Sequence, residues 1–172
     1  MNKNLAFAIV AMGTAVLMSG CAGYRLGGVK PSRYSEIQRI AIPTFKNETL
    51  EPRAGVLVAN TVIKQFQADG TYKITSRENA DAILEVTIKE VQRHQLRAAD
   101  INQLRSTELE LILKTEYRFI DADTGKDLEE GRMLGKTNFF VDRSFQVAER
   151  QALPYAAEDL ARQMVSKLSE GW

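Results

Sequence analysis

Leu109, Leu111, Leu113, Tyr117 and Phe119 share one phase of an alternation, opposite Glu108, Glu110, Lys114, Glu116 and Arg118. No other stretch constrains the fold as tightly. A period of two puts the apolar set on one face of a strand and the charged set on the other, so the sheet it joins is buried on one side and wet on the other. Such one-sided sheets favour antiparallel pairing. Leu84, Val86 and Ile88 repeat the pattern against Glu85, Thr87 and Lys89, which predicts a second long strand. Arg132 to Val141 predicts a third. It follows a turn at Asp123-Thr124-Gly125-Lys126, where Gly supplies the positive φ of a tight reversal.

Shorter elements complete the sheet and cover it. Ile37 to Ile42 reads as a first strand, stopped by Pro43 because proline has no ladder N–H. Thr44 to Thr49 reads as a loop and Tyr72 to Thr75 as a short strand. Ala59, Val62, Ile63 and Phe66 are spaced as one helical face, with the helix starting near Glu51-Pro52 and ending at Asp69-Gly70. Leu153, Ala157, Leu160, Ala161, Met164 and Leu168 trace a second stripe, for which Ser144 is an N-cap candidate. Pro154 lies inside that stripe and predicts a kink or a fresh helix start there. The order predicts an α+β fold, two helices packed on one face of a mostly antiparallel four- to five-stranded sheet. Residues 36–172 form one domain on this reading.

Ahead of the domain come Lys3, an apolar run from Leu5 to Met18 broken only by Gly13 and Thr14, and then Ser19-Gly20-Cys21. About 14 apolar residues fall short of the ~20 that span a bilayer, so residues 1–20 read as a secretory signal peptide. The ending resembles the lipobox of bacterial lipoproteins, with Met18 where Leu is usual. That resemblance implies cleavage before Cys21 and its modification by a diacylglycerol and an N-acyl chain such as palmitate. Cys21 is the only cysteine, so it has no disulfide partner, and a thioether would consume the thiol. Ala22 differs from the Asp that typically retains lipoproteins in the inner membrane, so the expected address is the periplasmic face of the outer membrane. Residues 21–35 are the lipidated N-terminus and a Gly-rich tether.

Charge excludes several classes of partner. The whole chain carries a formal +1, and residues 1–20 hold Lys3 alone of its charged residues, so the remainder balances at zero. No global field draws it to nucleic acid or to an anionic membrane. One His and one Cys are too few soft ligands for a zinc or copper site; an oxygen-ligand cation site stays open, but with no EF-hand loop present neither a metal nor a cofactor is expected beyond the covalent lipid. Catalytic residues are not expected either. There is no Gly-x-Ser-x-Gly elbow and no second His or thiol for a dyad. His94 reads as solvated, and Glu129-Glu130 as a solvated turn ahead of a strand, pointing to opposite faces.

Lys89 to Arg105, between the first two long strands, carries Lys89, Arg93, His94, Arg97 and Arg105 against Glu90 and Asp100. It is either a solvated hairpin end or a contact site for an anionic lipid headgroup, whose phosphates suit the planar fork of arginine. Ile101 and Leu104 add apolar contact there. The candidate ligand-binding residues are Arg93, Arg97, Arg105 and, just before the last helix, Arg143.

Gly23-Tyr24-Arg25-Leu26-Gly27 after Cys21, Ile40-Ala41-Ile42-Pro43-Thr44-Phe45-Lys46-Asn47, Asn79-Ala80-Asp81-Ala82 and Ala156-Ala157-Glu158-Asp159-Leu160-Ala161 together resemble the lipopolysaccharide-assembly lipoprotein family (LptE-like). The resemblance implies a non-enzymatic outer-membrane factor. Such a factor plugs a large β-barrel translocon (LptD-like), helps that barrel fold, and binds lipopolysaccharide on its way to the outer leaflet. It also implies two helices against a four-stranded sheet. The alternative is an outer-membrane lipoprotein activator of a peptidoglycan synthase, whose domain starts with a strand resembling Ile40 to Phe45. Those proteins typically use a long disordered tether. About 14 residues lie between Cys21 and the first strand here, reaching about 50 Å at most.

Overall fold

The computed structural model describes residues 30–97, 107–141 and 144–171. In chain order these hold β1 (Arg39–Ala41), β2 (Lys46–Asn47), α1 (Ala54–Asp69), β3 (Lys73–Ile74), β4 (Ala82–Arg97), β5 (Thr107–Asp121), β6 (Asp127–Val141) and α2 (Phe145–Val165). They form one sheet in the order β3-β1-β4-β5-β6, with β2 also paired to β4. The long pairs β4–β5 and β5–β6 are antiparallel. The short pairs β1–β3, β1–β4 and β2–β4 are parallel. Between β1 and β3 the chain passes through α1, because returning beside a strand in the same direction requires a crossover. The sixth strand, beyond the four or five expected, is Lys46–Asn47, inside the stretch expected as a loop.

Both helices lie on one face of the sheet, and the alternation seen in the sequence decides which. Leu84, Val86, Ile88, Leu111, Leu113, Tyr117 and Phe119 are buried against Val58, Val62 and Phe66 of α1 and Ala157, Leu160 and Met164 of α2. Thr115 shares the buried phase and satisfies its hydroxyl by donating to the Met133 carbonyl at 3.0 Å. Gly70 ends α1 at φ 76°, its N–H reaching the Phe66 carbonyl at 3.0 Å.

The β4–β5 register shifts twice, near the tip between Gln95 and Arg97 and, with more consequence, at a β-bulge in mid-strand. Ile88 pairs with Thr115 and Glu90 with Lys114, so Lys89 is the extra residue. A one-residue insertion exchanges the two faces of everything beyond it. Up to Ile88 the even-numbered residues of β4 face the helices. After the bulge Val91 packs against the core, and Arg93 faces α2 with it.

Pro154 does not restart the last helix: α2 runs unbroken through it, then passes into one π-helical turn (Ser166–Glu170) that stops at Gly171. The lost backbone bond is outweighed by a face of small residues, Ala152, Ala156, Ala157 and Ala161, that lets α2 lie close on β6. At Gly135 the approach is so close that a Cβ would stand 2.2 Å from the Ala156 carbonyl oxygen and 2.8 Å from the Leu160 Cβ. The expected turn before β6 is present, with Gly125 at φ 68°. Yet β6 starts at Asp127 rather than Arg132, so Glu129 and Glu130 lie in a strand and not in a turn. No described helix is long and apolar enough to cross a membrane.

Candidate functional site

The three long strands give the domain two ends. At the tip, β4, β6 and the start of α2 meet. Of the four candidate ligand-binding arginines, Arg93 is the one whose side chain the structure places. Its guanidinium Nε donates to Glu149 Oε1 at 2.5 Å, and it lies 5.8 Å from the Phe145 ring centroid. Glu149 is buried, so Arg93 neutralises a carboxylate under α2 instead of standing free on the wet face. The bulge at Lys89 is the reason. Arg97 ends β4, across from Glu108. Arg105 and Arg143 lie outside the described residues, as does Cys21. They belong to the segments joining β4 to β5 and β6 to α2, whose flanking elements end at the tip. His94 is exposed and pairs across the strand with Glu110.

Apolar side chains stand out at the tip, as Leu50 after β2 and Tyr155 in the middle of α2 do elsewhere. Leu96, Phe140, Phe145 and Val147 are exposed, Phe140 to 63%. Phe145 leans on Phe139 with ring centroids 6.3 Å apart. An exposed aromatic patch of this kind offers apolar contact to an amphiphile or a partner surface.

The wet face carries a ladder of ion pairs. Arg118 holds Asp127 through two bonds of 3.0 Å, Lys114 meets Glu90 at 3.3 Å, and Lys89 meets Glu48 at 2.5 Å. Arg132 meets Glu116 at 3.3 Å. Each is exposed enough to contribute little stability alone, and together they make a polar surface of mixed sign. Arg39 and two backbone N–H groups converge on Asp81, and the bond from Arg39 above all holds its carboxyl down at about 2. Among the described residues no three His, Cys, Asp or Glu gather as a metal site.

The base, at the other end, holds what the sequence did not disclose. Glu129 is nearly buried and accepts from the Tyr34 hydroxyl, from Arg33 Nη2 at 2.8 Å and from the Tyr117 hydroxyl at 3.2 Å, while Lys167 Nζ lies 3.5 Å away. Burial, reinforced by the negative carboxylate, pushes Tyr117 up to about 12 and Tyr34 further above the usual tyrosine range. Glycine makes the arrangement possible. Gly131 sits across from Tyr117, where a Cβ would lie 3.0 Å from the ring. Running the β6 alternation back from Phe139 through Gly135 and Gly131 would have put Glu129 inward. The glycines hid that phase. Glu130, its neighbour, is exposed on the opposite face, as alternation requires.

The family model described as LptE, lipopolysaccharide-assembly, matches residues 37–168. Among solved structures, the PelC dodecamer from Paraburkholderia phytofirmans is similar at 17% identity and a TM-score of 0.52, covering 84% of this chain and 94% of its own. A neuraminyllactose-binding hemagglutinin homologue from Helicobacter pylori is similar at 11% identity and a TM-score of 0.55, covering 85% of this chain and 89% of its own. Protein XCC0632 from Xanthomonas campestris is similar at 9% identity and a TM-score of 0.52, covering 77% and 84%. These likenesses concern the fold. No curated protein matches the chain.

Proposed function

The chain belongs to the LptE, lipopolysaccharide-assembly, family, and on that premise we propose that it is a lipid-anchored plug of a large outer-membrane β-barrel. On this reading it does no bond chemistry of its own. Cys21 carries the lipid, the domain enters the barrel lumen from the periplasmic side, and the tip meets lipopolysaccharide as it passes outward.

One observation carries the proposal: the N-terminal segment joins the domain at the base, and the tip with its exposed Phe140 and Phe145 lies at the far end of the longest strands. β4 has 16 residues, about 50 Å at ~3.3 Å per residue. The apolar band of an outer-membrane barrel is about 25 Å tall. A domain anchored by its base at the inner leaflet is therefore long enough to carry its tip through that thickness. Its polar sheet face suits a polar lumen wall. At the tip, Arg97, Arg105 and Arg143 would take phosphates while Phe140 and Phe145 contact acyl chains. Arg93, already paired with Glu149, would position the start of α2 and Phe145.

The test is an affinity pull-down of the tagged full-length protein from mildly solubilised outer membranes. A stoichiometric, very large β-barrel is the expected companion. A peptidoglycan synthase with no barrel would overturn the plug reading. For the tip, Arg97→Glu with Arg105→Glu should weaken lipopolysaccharide binding while the domain stays folded, since surface changes usually cost within about 0.5 kcal/mol. Unchanged binding would remove those arginines from the site.

A further inference from the structure

The Glu129 cluster plays no part in the tip or in the wet face, yet it gathers chain segments far apart in sequence. Arg33 and Tyr34 come from the root of the N-terminal segment, Tyr117 from β5, and Lys167 from the turn after α2. The root is held by further contacts of the same kind. The Tyr34 ring meets Phe119 edge-on at 5.3 Å, and Arg33 stacks over the Tyr34 ring at 4.7 Å. Lys30 donates to the Ile37 carbonyl at 2.8 Å and lies over Tyr72, whose hydroxyl donates to the Leu168 carbonyl at 2.7 Å.

The partners of Glu129 fall into two sets. Arg33 and Tyr34 belong to the root; Tyr117 and Lys167 belong to the body. If the root lifts away, Glu129 keeps Lys167 and Tyr117 and is not left as a naked buried charge, the outcome that makes most buried ion pairs all-or-none. The root itself is one short 3-10 turn, Ser32–Tyr34, outside the sheet. It can therefore open without unpairing a strand, although opening draws the buried Tyr34 ring out from beside Phe119. We infer that Glu129 is the catch of a latch, which fastens the root of the N-terminal segment to the base of the sheet and can release it while the domain stays folded.

The latch sets how far the anchored end can be from the body. With the root fastened, residues 21–29 span at most about 30 Å. With the root free up to Glu36, the same anchor spans about 55 Å. This difference in reach rests on the lipid-anchor reading of Cys21. The latch itself does not, and its test uses neither lipid nor barrel.

Amide hydrogen exchange on the detergent-solubilised full chain reads it directly. Tyr34, Ser35 and Ile37 donate their amides within the root, and Leu111 to Phe119 report the body. In the wild type the root amides should be protected. In Glu129→Gln they should exchange on the order of 10- to 100-fold faster, approaching unprotected rates, while Leu111 to Phe119 stay protected. Tyr34→Phe keeps the ring against Phe119 and removes one donor, so it should fall between. Root amides already unprotected in the wild type would overturn the latch. So would protection that persists in a folded Glu129→Gln, or root and body losing protection together.

Discussion

The base and the tip each bury a carboxylate among cations and aromatic rings, and they do it to different ends. At the base, Glu129 has four partners from three parts of the chain. At the tip, Glu149 has Arg93, and the aromatic side chain beside it, Phe145, stays partly in water. Where a carboxylate is saturated by internal partners, it has little left to offer a ligand. Where an arginine is spent on one buried acid and apolar side chains stay exposed, the surface is built to be covered. The base is made to hold and the tip to meet something.

That contrast breaks most readily at Glu129. Glu129→Ala leaves Lys167 and Arg33 without their carboxylate and two tyrosine hydroxyls without an acceptor, and should cost about 3 kcal/mol in urea denaturation. A cost below about 1 kcal/mol would mean that the base holds no more tightly than the surface ladder.

Alkaline pH comes next and acts on the base. Tyr117 is held neutral, its folded pKa near 12 lying above the unfolded value near 10. Its contribution is therefore complete below pH 10 and is lost as pH rises through about 12, since the unfolded chain gives up its proton first. Tyr34 is shifted the same way and Tyr72, buried beside them, to about 12. Stability followed by circular dichroism should fall by roughly 2–3 kcal/mol for Tyr117 over that range. Tyr117→Phe should remove its share of the fall and leave that of Tyr34 and Tyr72.

At the tip, Arg93→Ala should cost roughly 1–2 kcal/mol, less than the loss of Glu129, because water reaching the half-exposed arginine can partly compensate Glu149. Phe140→Ser is the smallest change in stability, within about 0.5 kcal/mol of wild type. It should nonetheless lower retention on lipopolysaccharide-containing vesicles. A large stability loss with unchanged retention would turn the tip into core.

Much of this was legible in the residues. The phase of Leu109 to Phe119 foretold a sheet wet on one side, and the stripes at Val62–Phe66 and Leu160–Met164 foretold the two helices that cover the other. Both patterns are local, since side-chain direction follows from backbone geometry within a few residues. The Ile-Ala-Ile-Pro piece, Ile40 to Pro43, lies within the stretch that the family model matches. Three features were decided by tertiary structure alone. Lys89 became a bulge through its register with β5, and that one residue moved Arg93 from the wet face to the underside of α2. Pro154 stayed within a helix because packing on Gly135 outweighs one backbone bond. Glu129, which the β6 phase already points inward, found its partners in Tyr34, 95 residues away, and in Lys167 from the opposite terminus. Periodicity tells each residue which way to point. Whether a charge can stay where it points depends on partners that only the folded chain brings near.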